Sequence, residues 1–137
     1  MTLVLDGSAT LAWCFEDECT EPIRELFLRI AARGALVPAI WHLEIANGFC
    51  SAIRRKRIDM ERRDLMLAAL KDIPVRVDGE TPSRAWRRTL QLSDRFDLTP
   101  YDASYLELAL RSRMPLATLD RKLSTSASEA GIRLVLS

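Results

Sequence analysis

The 137-residue sequence has little of what several classes of protein depend on. It contains one histidine, His42, so any Ser-His-Asp or Cys-His site would have to use it. Its three cysteines, Cys14, Cys19 and Cys50, are an odd number and have no C-x-x-C spacing, which argues against a disulfide framework or a zinc site. We expect the cysteines to be small buried side chains and His42 to be packed and hydrogen-bonded.

Long apolar runs are also absent. No segment approaches the roughly 18 apolar residues of a membrane span, and the N-terminus lacks the basic start and apolar core of a signal peptide. Glycine and proline are few, at 5 and 6 residues, which excludes a low-complexity or linker-rich chain. We therefore expect a cytoplasmic protein with no membrane contact, and the length predicts one domain.

The net charge is only +1, but the charged residues are unevenly distributed. Residues 1–32 carry two basic and six acidic side chains, a net charge of −4, whereas residues 54–63 carry six basic and two acidic ones, a net charge of +4. A nucleic-acid partner is compatible with this composition, because the distribution of charge matters more than its sum.

Short apolar runs alternate with longer stretches of helical spacing along the chain. The runs predict strands at 3–5, 35–37, 75–77, 116–119 and 132–136, and the stretches predict helices at 20–33, 39–57, 60–71, 82–96, 99–113 and 121–130. This alternation indicates an α/β protein, a three-layer α/β/α sandwich with a short central parallel sheet. Ligands of such sheets bind beyond the carboxyl ends of the strands.

Four carboxylates are candidates for a site at that edge. Asp6 follows the first predicted strand and Asp120 the fourth, although either one alone is also an ordinary turn residue. Glu44 lies in an apolar helix, where an unpaired charge is costly unless the side chain reaches water. Asp102 is three residues after Thr99, the spacing of a helix capping box, so it too has a local role available. Gathered carboxylates raise one another's pKa, and a divalent cation would relieve their repulsion.

The segments around these carboxylates resemble those of PIN-domain ribonucleases, most closely the VapC-like toxins of type II toxin–antitoxin modules. The resemblance is carried by LVLDGS at 3–8, WHLEIAN at 41–47, LTPYDASYLELA at 98–109 and LATLDRKL at 116–123, in that order. It covers essentially the whole chain and implies a single PIN domain over residues 1–137. Gly7 is where a larger residue is more usual, a departure from which we expect no consequence for metal binding.

The resemblance also implies an activity, a cofactor and the residues that carry them. The protein would hydrolyse RNA phosphodiester bonds with metal-activated water, using Mg²⁺ or Mn²⁺. The catalytic and metal-binding carboxylates would be Asp6, Glu44, Asp102 and Asp120, supported by Ser8, Asn47 and Thr118. The basic residues that end the Glu44 helix would contact RNA or would simply be a solvated helix end; they are Arg54, Arg55, Lys56 and Arg57.

The implied partners are an RNA substrate and a cognate VapB-like antitoxin that blocks the site, in a homodimer or a toxin–antitoxin hetero-oligomer. Large apolar side chains in the acidic N-terminal third offer a landing groove for the antitoxin or ordinary core packing; they are Trp13, Phe15, Ile23, Leu26 and Phe27. Two other functions are open, a catalytically silent PIN-like binding module and a phosphoryl-relay receiver-type domain. For a receiver, Asp78 would be the phosphoacceptor, but residues 131–137 contain no lysine.

Overall fold

The computed structural model describes residues 2–136. Short strands in this part of the chain form one sheet in which every pairing is parallel: β1 (Val4–Leu5), β2 (Ala35–Val37), β3 (Val75–Val77) and β4 (Leu116–Ala117). Their order across the sheet is β3-β2-β1-β4. The chain therefore builds the sheet outward from β1 in one direction and then returns to add β4 on the other side of β1.

Helices fill the connections between the strands. They are α1 (Gly7–Cys14), α2 (Glu21–Arg33), α3 (Trp41–Arg54), α4 (Met60–Lys71), α5 (Thr81–Arg84), α6 (Leu90–Phe96), α7 (Pro100–Ser112) and α8 (Arg121–Glu129), with a π-helical turn, Ala85–Thr89, between α5 and α6. Because parallel crossovers are right-handed, α1 to α4 cover one face of the sheet and α5 to α8 the other. The packing of α1 on α2 and α3, and of α7 on α6 and α8, agrees with this arrangement. The fold is the predicted three-layer α/β/α sandwich.

The N-terminal third contributes much of the hydrophobic core. Helix α2 buries Ile23, Leu26, Phe27 and Ile30, the stripe that its spacing predicts. Phe15 is also buried, and the half-buried ring of Trp13 stacks on Phe27 with 4.7 Å between the ring centroids. These side chains therefore pack in the core, one of the two predicted alternatives, and contact with an antitoxin stays a prediction.

The ends of the predicted sheet differ from the observed one. The strand predicted at 132–136 is wrong, since only Leu134 pairs there, in an isolated bridge with Leu116. Strand β4 itself stops at Ala117, because the hydroxyl of Thr118 turns to Asp6 and accepts a hydrogen bond from the backbone N–H of Asp120. Because β4 has only two residues, the C-terminal segment finds few backbone groups to pair with and forms a single bridge instead of a strand.

Helix α1 is not predicted by the sequence pattern. Most of its residues are buried, and it is apolar or small on nearly every side, so it shows no amphipathic stripe. The signal that is present is Asp6, which caps α1 by accepting a hydrogen bond from the backbone N–H of Ala9 at 2.9 Å. An aspartate at this position is equally typical of a turn, so Asp6 alone does not predict that a helix follows.

Other side chains also depart from their predicted environment. His42 is exposed on α3, with its ring edge-on to that of Trp41 at 4.9 Å between centroids, so the prediction that it is packed and hydrogen-bonded is wrong. Cys14 is buried as predicted, whereas Cys19 is half-buried and Cys50 is exposed, and all three are free thiols. Between residues 2 and 136, no helix is both long enough and apolar enough to cross a membrane.

Candidate active site

The strand order creates a crevice between β1 and β4, where the path of the chain across the sheet reverses. In open parallel sheets, ligands bind beyond the carboxyl ends of the strands at such a reversal. Asp6 directly follows β1, and Asp120 follows β4 after two residues, Thr118 and Leu119. A cavity of about 270 Å³ opens at this point.

All four predicted carboxylates line this cavity, which we call the acidic pocket. Each lies at the N-terminus of a different helix: Asp6 caps α1, Asp120 caps α8, and Glu44 and Asp102 lie in the first turns of α3 and α7. The free N–H groups and the positive dipole end of a helix N-terminus stabilise negative charge. The local capping roles and the predicted site are therefore compatible, because four helix N-termini converge on one pocket.

The capping hydrogen bonds leave carboxylate oxygens for the pocket. Asp120 caps α8 through one oxygen, Oδ1, which accepts from the backbone N–H of Leu123 at 2.8 Å. In α7 the capping group is Thr99, whose hydroxyl accepts from the backbone N–H of Asp102 at 3.2 Å. The carboxylate of Asp102 is consequently not needed to cap its own helix.

Two hydroxyl groups hold the carboxylate of Asp6. Ser8 Oγ donates to Oδ1 at 2.8 Å, and Thr118 Oγ1 donates to Oδ2. The same two hydroxyl oxygens accept hydrogen bonds from backbone N–H groups, of Leu119 at 2.9 Å and of Asp120 at 3.0 Å. Asp6 and the loop after β4 therefore form one hydrogen-bonded unit, in which Ser8 and Thr118 contact Asp6 directly.

Burial and mutual repulsion raise the pKa of three of the carboxyl groups. Asp6 is 4% exposed, and burial raises its pKa to about 6 although its hydrogen bonds oppose the rise. Burial, and then the charge of Asp102, raise the pKa of Glu44; burial, and then the charge of Asp120, raise the pKa of Asp102. The pocket holds its negative charge at a cost, which a bound cation would reduce.

The donor set of the pocket fits a hard divalent cation, because every candidate ligand is a carboxylate oxygen. The side chains do not, however, form a complete cage: within residues 2–136, no three His, Cys, Asp or Glu side chains are grouped so that they could hold one ion. Mg²⁺ usually keeps several of its waters and binds through one or two carboxylates. Asp6, Glu44, Asp102 and Asp120 are the residues of the pocket that would hold such an ion.

Tyr105 is a residue of the pocket that the sequence analysis does not identify. Its hydroxyl donates a hydrogen bond to Oε1 of Glu44, and its side chain is only 1% exposed. Burial and the neighbouring charge of Glu44 raise the pKa of Tyr105, so the hydroxyl stays protonated and available as a donor. The signal in the sequence is its spacing, since a residue three positions after Asp102 shares the same helix face.

Helices α1 and α3 approach closely at the wall of the acidic pocket. A β-carbon at Gly48 would lie 2.3 Å from Cδ1 of Leu11, so this contact requires glycine or a shift of the leucine side chain.

Asn47 also lines the pocket and is exposed. The group that orients the carboxylate of Glu44 is Tyr105 rather than Asn47, which leaves contact with RNA as the remaining prediction for Asn47.

The four basic residues at the end of α3, residues 54–57, form what we call the basic strip, and they differ in their contacts. Arg57 pairs with Asp17 at 3.1 Å and with Glu18 at 2.8 Å, and its guanidinium lies over the ring of Phe15, 4.6 Å from the centroid. Arg57 therefore neutralises part of the acidic N-terminal third instead of presenting a free charge. The other three residues of the strip are exposed and form no ion pair with any residue that the structure describes; they are Arg54, Arg55 and Lys56.

A groove between α1 and α3 leads from the acidic pocket toward this strip. A cavity of about 420 Å³ shares Ser8, Leu11, Gly48 and Asp120 with the pocket and reaches Arg55. A further cavity, of about 940 Å³, continues from there to Lys56 and Arg62. Arg55 is thus the residue of the strip that lies beside the pocket without a carboxylate partner.

A second cluster of charges lies outside the acidic pocket. Arg111 of α7 pairs with Asp78 at 2.6 Å, with Glu107 at 2.8 Å and with Glu80 at 3.2 Å. Asp78, the acceptor that a receiver-type domain would need, is therefore bound to Arg111 and does not line the pocket. The cluster fastens α7 to the loop after β3.

Comparison with known proteins agrees with this geometry. The crystal structure of PAE2754 from Pyrobaculum aerophilum superimposes with a TM-score of 0.71 at 23% identity, over 98% of this chain and 84% of that one, which shows a shared fold. No curated protein matches the sequence. The profile of the PIN domain family, whose members are typically metal-dependent nucleases, matches residues 3–128. Because this match spans nearly the whole chain, the chain belongs to the PIN-domain family.

Proposed function

We propose that this protein is a metal-dependent endoribonuclease that acts as the toxin of a toxin–antitoxin pair. Its membership of the PIN-domain family supports a nuclease. The observation that carries the proposal is the convergence of Asp6, Glu44, Asp102 and Asp120 on one pocket at the topological switch point. A bound Mg²⁺ or Mn²⁺ would polarise a phosphoryl oxygen of the RNA and activate a water molecule as nucleophile at neutral pH.

The residues of the chain have different tasks in this proposal. Asp6 is fixed by Ser8 and Thr118, and Glu44 is held by Tyr105. Carboxylates that are fixed in this way would hold a metal ion in one position. The position of the ion would then determine where the scissile phosphate and its nucleophile meet. Oδ1 of Asp6 accepts from Ala9 and Ser8, and Oδ2 accepts from Thr118, so a lone pair of Oδ2 is left for a cation.

RNA would reach the pocket along the groove between α1 and α3. The carboxylates repel a phosphate backbone, and a nearby arginine offsets this repulsion by contacting the phosphates. Arg55 lines the groove beside the pocket, and Arg54 and Lys56 are exposed next to it. Arg57 also lines the groove, but it contributes less free charge to this role because it pairs with Asp17 and Glu18.

An active ribonuclease endangers its own cell, so we also propose a cognate VapB-like antitoxin. A basic side chain of that partner would pair with the carboxylates of the acidic pocket in place of a metal ion. The lining of the pocket supports this, because it has four carboxylates and no cation, and a basic side chain would offset their charge as a metal ion would. The assembly would be a homodimer or a toxin–antitoxin hetero-oligomer.

Cleavage of single-stranded RNA by the purified protein tests the nuclease proposal. We expect cleavage with Mg²⁺ or Mn²⁺ and none with EDTA, and we expect Asp6→Asn and Asp102→Asn each to lose most of the activity. Undiminished cleavage in EDTA, in a preparation without contaminating nuclease, would contradict metal dependence. RNA binding without cleavage under any metal would instead favour a catalytically silent binding module.

A further inference from the structure

A second polar cavity, of about 590 Å³, lies between the end of α6 and the length of α8, from Arg121 to Glu129. Its lining includes three cationic side chains, Arg95, Arg121 and Lys122, and two carboxylates, Asp97 and Glu129. We call it the basic cavity. It has a positive excess, whereas the acidic pocket is lined by four carboxylates and no cation.

The chain joins the basic cavity to the acidic pocket at two places. Asp120 lines the pocket and caps α8, and Arg121 and Lys122 follow it directly in the sequence. On the other wall, Asp97 begins the short loop that leads into α7 and Asp102.

The cations of the basic cavity are available to an anion. Lys122 Nζ lies 3.2 Å from Asp97, but the two side chains are 58% and 98% exposed, and a pair so exposed is weak. Arg95 lies over the ring of Phe96 at 4.7 Å, which orients its guanidinium without using its N–H donors. Neither Arg95 nor Arg121 forms an ion pair with the residues between 2 and 136.

We propose that the basic cavity binds a phosphate group of the RNA chain that neighbours the phosphodiester cleaved at the acidic pocket, with Lys122 and Arg121 as its main ligands. The subsite rests on the proposed nuclease function. The cations that directly follow Asp120 on α8 would offset the repulsion between the carboxylates and the RNA backbone, and a bound neighbouring phosphate would fix the register of the strand. The basic cavity shares no lining residue with the groove that leads to Arg55, so the two are separate surfaces.

Short RNA oligonucleotides that carry a 5′-phosphate, a 3′-phosphate or neither test this subsite. For the wild type, one of the two terminal phosphates should raise kcat/KM on the order of tenfold, the gain of one charge-assisted hydrogen bond. Lys122→Ala should reduce the ratio between phosphorylated and unphosphorylated substrate to about one, and Lys122→Arg should restore it. Arg133→Ala removes the same charge from an exposed residue at the opposite end of β4 and should keep the wild-type ratio.

The outcomes separate the subsite from the nuclease. Cleavage that is indifferent to both terminal phosphates would overturn the subsite and leave the nuclease proposal intact. An equal gain in the wild type and in Lys122→Ala would also overturn it, since the phosphate would then bind elsewhere. If no RNA is cleaved, the proposed function fails, and anisotropy of the same labelled oligonucleotides in EDTA decides the subsite: the terminal phosphate must tighten binding to the wild type and not to Lys122→Ala.

Discussion

The hydroxyl of Tyr105 donates a hydrogen bond to Oε1 of Glu44, which joins α7 to α3 across the acidic pocket. A half-buried carboxylate without a donor would be costly, so this bond stabilises Glu44 as well as orienting it. Because Asp102 lies one turn earlier on the same helix, α7 supplies one carboxylate of the pocket and the donor that holds another.

Tyr105→Phe removes this donor and keeps the ring. We expect the Kd for Mn²⁺ to rise on the order of tenfold, the usual effect of losing a group that orients a metal ligand. Saturating metal should recover most of the cleavage rate. The measurement is calorimetric titration of the protein with Mn²⁺. Tyr101→Phe is the matched control, since Tyr101 is 63% exposed and should leave the Kd unchanged. Lost activity with unchanged metal affinity would show that Tyr105 acts on the substrate instead.

Asp120→Asn should raise the melting temperature of the metal-free protein and reduce its response to metal. Asparagine caps a helix as well as aspartate does, so the substitution removes charge from the pocket while keeping the cap of α8. In the wild type, a metal concentration a hundredfold above Kd stabilises the fold by about 2.7 kcal/mol. Asp59→Asn, at the cap of α4, is the control and should leave the metal response unchanged. An equal metal-induced shift for wild type and Asp120→Asn would argue that Asp120 does not contribute to metal binding.

Arg55 and Arg57 are two residues apart, but their substitutions should have different effects. Arg55→Ala should weaken RNA binding in EDTA. It should also reduce the slope of log K against log salt concentration by about one, the effect of losing one phosphate contact. Arg57→Ala should instead lower the free energy of unfolding, because it loses its contacts with Phe15 and two carboxylates. Fluorescence anisotropy at several salt concentrations and urea denaturation measure the two effects. Arg33→Ala, exposed at the end of α2, is the control; if it weakens RNA binding equally, Arg55 has no specific role.

The contrast between Arg55 and Arg57 also shows what a sequence can predict. Strand ends, helix caps and the order of the acidic segments are local patterns, and they predict the sheet and place Asp6 and Asp120 at one edge. The partners of Arg57, by contrast, are 40 and 39 residues away, and Tyr105 is 61 residues from Glu44. Such pairs depend on how α1, α3 and α7 pack, which no local spacing determines. Helix α1 escapes prediction for a related reason, since burial on nearly every side removes its amphipathic pattern.

The cluster around Arg111 should make stability depend on acid pH. Burial raises the pKa of Asp78, but the hydrogen bonds and charge of Arg111 outweigh it and hold the pKa below the ordinary value of 3.8. The folded-state pKa is thus lower than the unfolded one, so the stabilisation is complete above the unfolded pKa and is lost as pH falls through the folded pKa. The free energy of unfolding of Asp78→Asn should therefore differ most from the wild type at neutral pH and converge with it in acid. The exposed Asp94→Asn is the control; a difference that persists in acid would assign the effect to packing.

Expression in a bacterial host tests the toxin role separately from the nuclease. The acidic pocket has its full set of carboxylates, so soluble protein made without its antitoxin should degrade cellular RNA and arrest growth. Asp6→Asn is the matched control, because Ser8 and Thr118 keep bonding partners at position 6 while one charge of the pocket is lost; at equal expression it should not arrest growth. Co-expression with the product of the neighbouring reading frame should restore growth of cells that make the wild type. Unaffected growth with soluble wild-type protein, in a host without an antitoxin, would contradict the toxin role, whereas RNA cleavage by the same purified protein would still support a nuclease.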